Sequence, residues 1–139
     1  LDDSARELTR AILISPRYVR AHNNYGVTLL RQGRIDAAVA EFRTVLELEP
    51  GNPDAFVNLA LAEKSAGQLE RAKESLLQAL VSAPRSAPAH YNLAVLSDDT
   101  NDLLRAVEHY RAFLDTAGVD YASRAPDVRA RVAVLTTAR

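Results

Sequence analysis

Pro16, Pro50 and Pro84 stand 34 residues apart, and the residues between them repeat in step. When the three stretches are overlaid, Ala21, Ala55 and Ala89 fall together. So do Asn24, Asn58 and Asn92, then Tyr25, Leu59 and Leu93, then Gly26, Ala60 and Ala94. Further on, Ala38, Ala72 and Ala106 coincide, followed by Phe42, Leu76 and Tyr110. A fixed period of this length specifies a solenoid of stacked units, each burying its apolar face only against its neighbours. Such a stack presents an extended surface rather than an enclosed site, so the repeat points to binding and away from chemistry.

Each unit reads as two helices. In the second, Asn52 is suited to an N-cap and Pro53 to the first helical position. Phe56, Leu59, Ala60 and Glu63 follow at helical spacing, and Gly67 ends the helix because a left-handed residue is wanted there. Leu69, Ala72, Leu76, Ala79 and Leu80 mark the apolar stripe of a second helix, which Ala83 and Pro84 stop. The first unit copies this with Gly33 at the turn and Ile35, Ala38, Phe42, Val45 and Leu46 on the stripe. In the third unit Asn101 replaces the turn glycine; Asn is the next-best residue for a left-handed position. Gly118 replaces the closing proline. The small residues of both helices let their axes approach, with the bulky Tyr25, Leu59, Leu93, Phe42, Leu76 and Tyr110 filling space around them.

The ends differ from the repeats. Residues 1–16 match only a second helix, with Leu1, Leu8, Ala11 and Ile12 answering to Ile35, Phe42, Val45 and Leu46. From about Pro126 to Ala138 the chain reads as one more helix, with Val128, Val132 and Leu135 apolar and Arg124, Arg129, Arg131 and Arg139 polar, the pattern of a cap over the last open face. Phe113, larger than Val45 and Ala79 at the same position, is expected to meet this cap. The expected organisation is a single domain over 1–139: a half repeat 1–16, repeats 17–50, 51–84 and 85–118, and a capping helix in 119–139.

Composition narrows the partners. Of 139 residues 47% are hydrophobic, enough for a real core, and the net charge of −1 sets up no global field toward nucleic acid or an anionic membrane. Basic residues are almost all Arg, with Lys only at 64 and 73, which with the abundant Ala suits a GC-rich, bacterial genome. Without Cys, disulfides and thiolate metal sites are excluded. No signal peptide or membrane-length apolar run is visible. The chain lacks Met and starts part-way through a repeat, so it is expected to be a piece of a longer protein; cytoplasm and periplasm both remain open.

These residues resemble the tetratricopeptide repeat, a 34-residue helix–turn–helix unit with a Leu-Gly pair, then Tyr, Ala, Phe and Pro. The pair here is Tyr25-Gly26, Leu59-Ala60 and Leu93-Ala94; the later small residue is Ala38, Ala72 and Ala106; the aromatic position is Phe42, Leu76 and Tyr110; the proline is Pro50 and Pro84. The family's leading Trp is replaced by His22, Phe56 and His90. The resemblance covers almost the whole chain. It implies an all-α fold, an α-solenoid of antiparallel helix pairs in a right-handed superhelix, used for protein interaction, with no cofactor.

The resemblance also implies that the first helices line a concave groove. That groove would carry Arg20, Asn23, Asn24, Val27 and Arg31 from the first repeat; Asp54, Val57, Asn58, Leu61 and Lys64 from the second; and Tyr91, Asn92, Val95, Asp98 and Asp99 from the third. The ladder Asn24, Asn58, Asn92 offers carboxamides, which both donate and accept and so can grip an extended peptide backbone without reading its side chains. The row Val27, Leu61, Val95, with Val57 and Tyr91 beside it, suits an apolar peptide or a helix face, unless it is tucked against neighbouring helices. Members that clamp the C-terminal carboxylate of heat-shock chaperones need cations where this chain has Asn23, Pro88 and Asn92; only Asn58 matches their pattern, so that use is not expected.

An enzyme is not expected. His22 and His90 occupy the same position two repeats apart and cannot share a metal; His109 falls on a second helix, on the expected convex side. Ser65 and Ser97 have no His at a useful spacing. The acidic run Asp98, Asp99, Asp102 reads as a solvated helix end, and no phosphate loop is present. The Arg residues are scattered among acids, so nucleic acid is not an expected partner, nor is direct membrane contact. The expected function is a scaffold or adaptor that binds a peptide or helix of a protein partner in its groove. The alternatives are a structural role, either self-assembly through the open N-terminal helix with Leu8 and Ile12 or service as a spacer segment of a larger complex, and the substrate-recruiting part of a larger enzyme.

Overall fold

The computed structural model describes residues 2–137. Leu1, aligned above with Ile35, and Ala138 and Arg139, assigned to the last helix, lie outside the described residues. All regular structure among the described residues is helical: α1 Asp2–Ile14, α2 Val19–Arg31, α3 Ile35–Leu48, α4 Pro53–Ser65, α5 Leu69–Ser82, α6 Ala87–Asp99, α7 Leu103–Thr116 and α8 Ala125–Thr137, with a 3-10 turn at Val119–Tyr121 before α8. The fold class is all-α, of the α-solenoid kind built from helix pairs. The chain forms two compact units, Leu1–Ser82 and Ala83–Arg139.

The three turns between paired helices use one device. Gly33, Gly67 and Asn101 all have positive φ, 75°, 77° and 62°. Beyond each, the chain folds back on the helix it has just left: Arg34 N–H donates to the Leu29 carbonyl at 2.9 Å, Gln68 to Glu63 at 2.8 Å and Asp102 to Ser97 at 2.7 Å. This is a Schellman closure, which satisfies carbonyls a helix end would leave bare. Helix starts are fixed by side chains in the later repeats: Asn52 accepts from Ala55 N–H at 2.9 Å and Ser86 from Ala89 N–H at 3.3 Å.

In the first unit α1 packs on α2, α2 on α3, α3 on α4 and α4 on α5. Its central cluster is Leu29, Ala38, Phe42, Leu59 and Ala62, all buried. The small residue at position 26 has a direct cause, since a Cβ there would run into the ring of Phe42, itself fully buried. Glu63, on the apolar face of α4, is buried as well, and Ser75 of α5 donates to its carboxylate at 2.8 Å. Helix α1 lies at the surface and buries no residue fully; Leu8, Ala11 and Ile12 are half-buried, and Leu13 and Ile14 are exposed.

In the second unit α6 packs on α7 and α7 on α8. Val128 and Leu135 of α8 are buried with Ala94, Ala106, Tyr110 and Phe113, while Val132 is half-buried beside them. Phe113 is the hub: its ring lies 5.3 Å from Tyr91 of α6 and 6.0 Å, edge-on, from Tyr121 of the 3-10 turn. The larger side chain at this position therefore fills the space where two helices and the segment leading to α8 converge.

Candidate functional site

On α2 the buried residues are Ala21, His22, Gly26, Thr28 and Leu29. Opposite them, Arg20, Asn24 and Arg31 are exposed and Val27 is half-buried, a stripe at i, i+4, i+7 and i+11. On α4 the corresponding residues are Asp54, exposed, and Asn58 and Leu61, half-buried, with Lys64 half-buried nearby. The two stripes are tied together: Asn58 Nδ2 donates to Asn23 Oδ1 at 3.0 Å. The first unit thus presents polar amides and aliphatic groups side by side on α2 and α4.

Not every residue assigned to this face lies open. Val57 is buried, so it supplies packing rather than surface, a correction to its place in the apolar row. Val27 also leans on the core of its unit. The Asn ladder is not uniform. Asn24 is exposed, Asn58 spends a donor on Asn23, and Asn92 donates to the carbonyl of Pro88 in its own helix at 2.8 Å.

In the second unit two residues of the α6 face, Tyr91 and Asp98, are engaged by the C-terminal segment. Arg124 lies over the Tyr91 ring, 4.6 Å from its centroid. Arg131 of α8 grips Asp98 with two donors, Nε to Oδ2 at 2.7 Å and a terminal nitrogen to Oδ1 at 2.6 Å. The Tyr110 hydroxyl adds a third bond to Asp98 Oδ2 at 3.1 Å. Tyr91 and Val95 pack partly against the core of the unit. Asp98 is therefore not the solvated helix end that the acidic run suggested; Asp102, by contrast, caps α7 by accepting from Arg105 N–H at 3.4 Å. The Arg131 hydrogen bonds hold the Asp98 carboxyl below the usual carboxylate range, against the opposing effect of burial, and the Tyr110 bond helps. Tyr110 is pushed well above the usual phenol range, by burial first and then by the Asp98 charge.

The histidines are placed otherwise than the spacing suggested. His109 does not stand apart: its Nδ1 lies 3.2 Å from Nδ1 of His90. His22 is buried, with Nδ1 2.6 Å from Glu41 Oε2 and Nε2 2.7 Å from the Pro16 carbonyl oxygen. The repeat register held the clue, because Glu41 and His109 are themselves two periods apart. Among the described residues no group of three or more His, Cys, Asp or Glu is placed to hold a metal ion, and no helix is long and apolar enough to cross a membrane.

Comparison with known proteins gives the chain its family. It is 32% identical over 75 residues to cellulose synthase 2 operon protein C of Komagataeibacter xylinus, an alignment covering 54% of this chain and about 6% of that relative's length. Its fold superposes with a TM-score of 0.80 on the type III secretion chaperone SycD of Yersinia enterocolitica, solved with a peptide of the translocator YopD, at 14% identity over 88% of this chain and 95% of that one. It superposes with a TM-score of 0.78 on the thermophilic TPR protein TTC0263 of Thermus thermophilus, at 21% identity over 95% of this chain and 71% of that one. Two family models described as tetratricopeptide repeat match residues 29–96 and 1–53. With these matches and an all-helical repeat closed by identical turns, the chain belongs to the tetratricopeptide repeat family.

Proposed function

We propose that the chain is a protein-interaction module that holds an extended or helical segment of a protein partner along the first-helix face of its first unit. The observation that carries this reading is the open double stripe of α2 and α4: Arg20, Asn24, Val27 and Arg31 beside Asp54, Asn58 and Leu61. Asn24 and the remaining capacity of Asn58 supply backbone-directed hydrogen bonds. Val27 and Leu61 supply apolar contact, and the flanking charges set register. The family membership and the SycD complex with a YopD peptide support a peptide-like occupant. A face of two helices buries a small interface, so affinity near micromolar is expected.

The test is capture of partners by wild type and by an Asn24→Ala, Asn58→Ala double variant, with the captured protein's binding segment then titrated by fluorescence anisotropy. A loss of about tenfold or more in the variant supports the reading. Equal affinity for both proteins moves the site off this face.

A second reading, self-association, draws on α1, where Leu13 is 77% and Ile14 78% exposed. Light scattering over a range of concentrations decides it: mass rising with concentration in wild type, but not in a Leu13→Lys, Ile14→Lys variant, supports it, and a strict monomer rejects it.

A further inference from the structure

The helix pairs α2–α3 and α6–α7 contain the same slot filled in two ways. In each, a histidine of the first helix sends Nε2 to the carbonyl of the proline six residues earlier, His22 to Pro16 at 2.7 Å and His90 to Pro84 at 2.9 Å. In each, Nδ1 faces the residue 19 positions on, on the second helix: Glu41 for His22, His109 for His90. In α4–α5 the two positions are Phe56 and Ser75, and the slot cannot titrate with histidine.

The proton inventory differs between the two. A carbonyl and a carboxylate can only accept, so both ring nitrogens of His22 face acceptors and neither faces a second ring. His90 must also carry its hydrogen on Nε2, because Pro84 offers only a lone pair. Its Nδ1 is then bare when the ring is neutral, and the 3.2 Å contact is an N–H···N bond donated by His109. The ring centroids are 5.5 Å apart with 31° between the planes. One added proton leaves this bond intact, because the bridging hydrogen serves whichever of the two rings carries the charge. A second leaves an N–H on both Nδ1 atoms, which sets two N–H groups and two positive rings against each other.

We propose that the His90–His109 pair is an acid-sensitive latch, holding α6 against α7 when at most one ring is charged and loosening the helix pair when both are. The surroundings do not compensate. Of the charged groups acting on His109, Glu108 and Arg105 on its own helix oppose each other. Asp98 of α6 is neutralised by Arg131 of α8. Burial, and then the His90 charge, pull the His109 ring below the usual histidine range. The unfolded chain therefore takes up that proton first, so falling pH favours opening. The latch lies beside Tyr91, which rests on Phe113 of α7, so loosening disturbs the α6 face as well.

Residue-resolved hydrogen exchange on the whole chain, at pH 7.5 and 5.5 and corrected for intrinsic exchange, tests this. In wild type the opening constant of amides around His90 and His109 rises on acidification, by up to about tenfold per pH unit if one proton is linked. In His109→Gln, which cannot charge, that rise is lost. In His109→Glu, which copies the His22–Glu41 arrangement, it reverses. The α2–α3 pair serves as the internal reference. An equal rise in wild type and His109→Gln, or none in wild type, overturns the latch. Should His109→Glu fail to fold, the comparison of wild type with His109→Gln decides alone.

Discussion

Arg131 closes on Asp98 as a fork, with donor–acceptor distances of 2.7 and 2.6 Å, and joins α8 to the end of α6. Bidentate pairing of this kind is directional as well as charged, and the Asp98 side chain is 13% exposed. Asp98→Asn should lower the denaturation midpoint and free α8. Because the Asp98 carboxyl titrates below the ordinary range, its contribution is present above the unfolded value and is lost as pH falls through the folded one. Acid titration of wild type and Asp98→Asn should therefore converge below about pH 4. Curves that stay parallel down to pH 2 would show that this carboxylate does not couple to folding.

Gly26→Ala should destabilise the first unit. Ala is the better helix former by about 1 kcal/mol, which alone would predict a gain. The new methyl, however, would overlap the fully buried Phe42 ring, so that ring or helix must shift. Overpacking of this kind costs about 1–3 kcal/mol, so the clash should win. Urea denaturation gives the sign directly.

Asn101 holds its turn at a φ of 62°. A β-branched residue cannot adopt that conformation cheaply, and Asn101→Val should cost about 1–2 kcal/mol. Asn101→Gly relieves the backbone but adds freedom to the unfolded chain, and the two effects nearly cancel, leaving a change within about 0.5 kcal/mol. Thermal melts of both variants check the order; a Val variant as stable as wild type would contradict it.

Asn23 and Asn58 are 35 positions apart and share one hydrogen bond. A double-mutant cycle on Asn23→Ala and Asn58→Ala should return a coupling of about 0.5–1.5 kcal/mol in stability, toward the low end because water can replace the lost partner at half-buried groups. Partner binding should respond differently: Asn23→Ala frees the Asn58 amide and should preserve affinity, whereas Asn58→Ala should weaken it. Equal losses from both would mean that the pair binds as a unit.

Much of this protein was legible in one sequence because a repeat states its rules several times. The turn at Asn101 could be read from Gly33 and Gly67, the cap at Asn52 from the residue type alone, and the close approach at Gly26 from the small residues that recur one and two periods later at Ala60 and Ala94. Local backbone chemistry sets these features, and it recurs with the period. The site was less legible. Val57 shares a helix with Asn58, yet it is buried while Asn58 is half open, a difference decided by how the neighbouring helices pack.

What only the tertiary structure decided is the pairing of polar side chains across helices. His90 with His109, Asn58 with Asn23, and Asp98 with Arg131 join positions 19, 35 and 33 apart, on different helices. The sequence determined the helices, their turns and their apolar faces, because each depends on spacing within a few residues. It left these partners undecided, because a side chain's hydrogen bonds depend on which rotamers and which neighbouring helix bring a donor within about 3 Å of an acceptor.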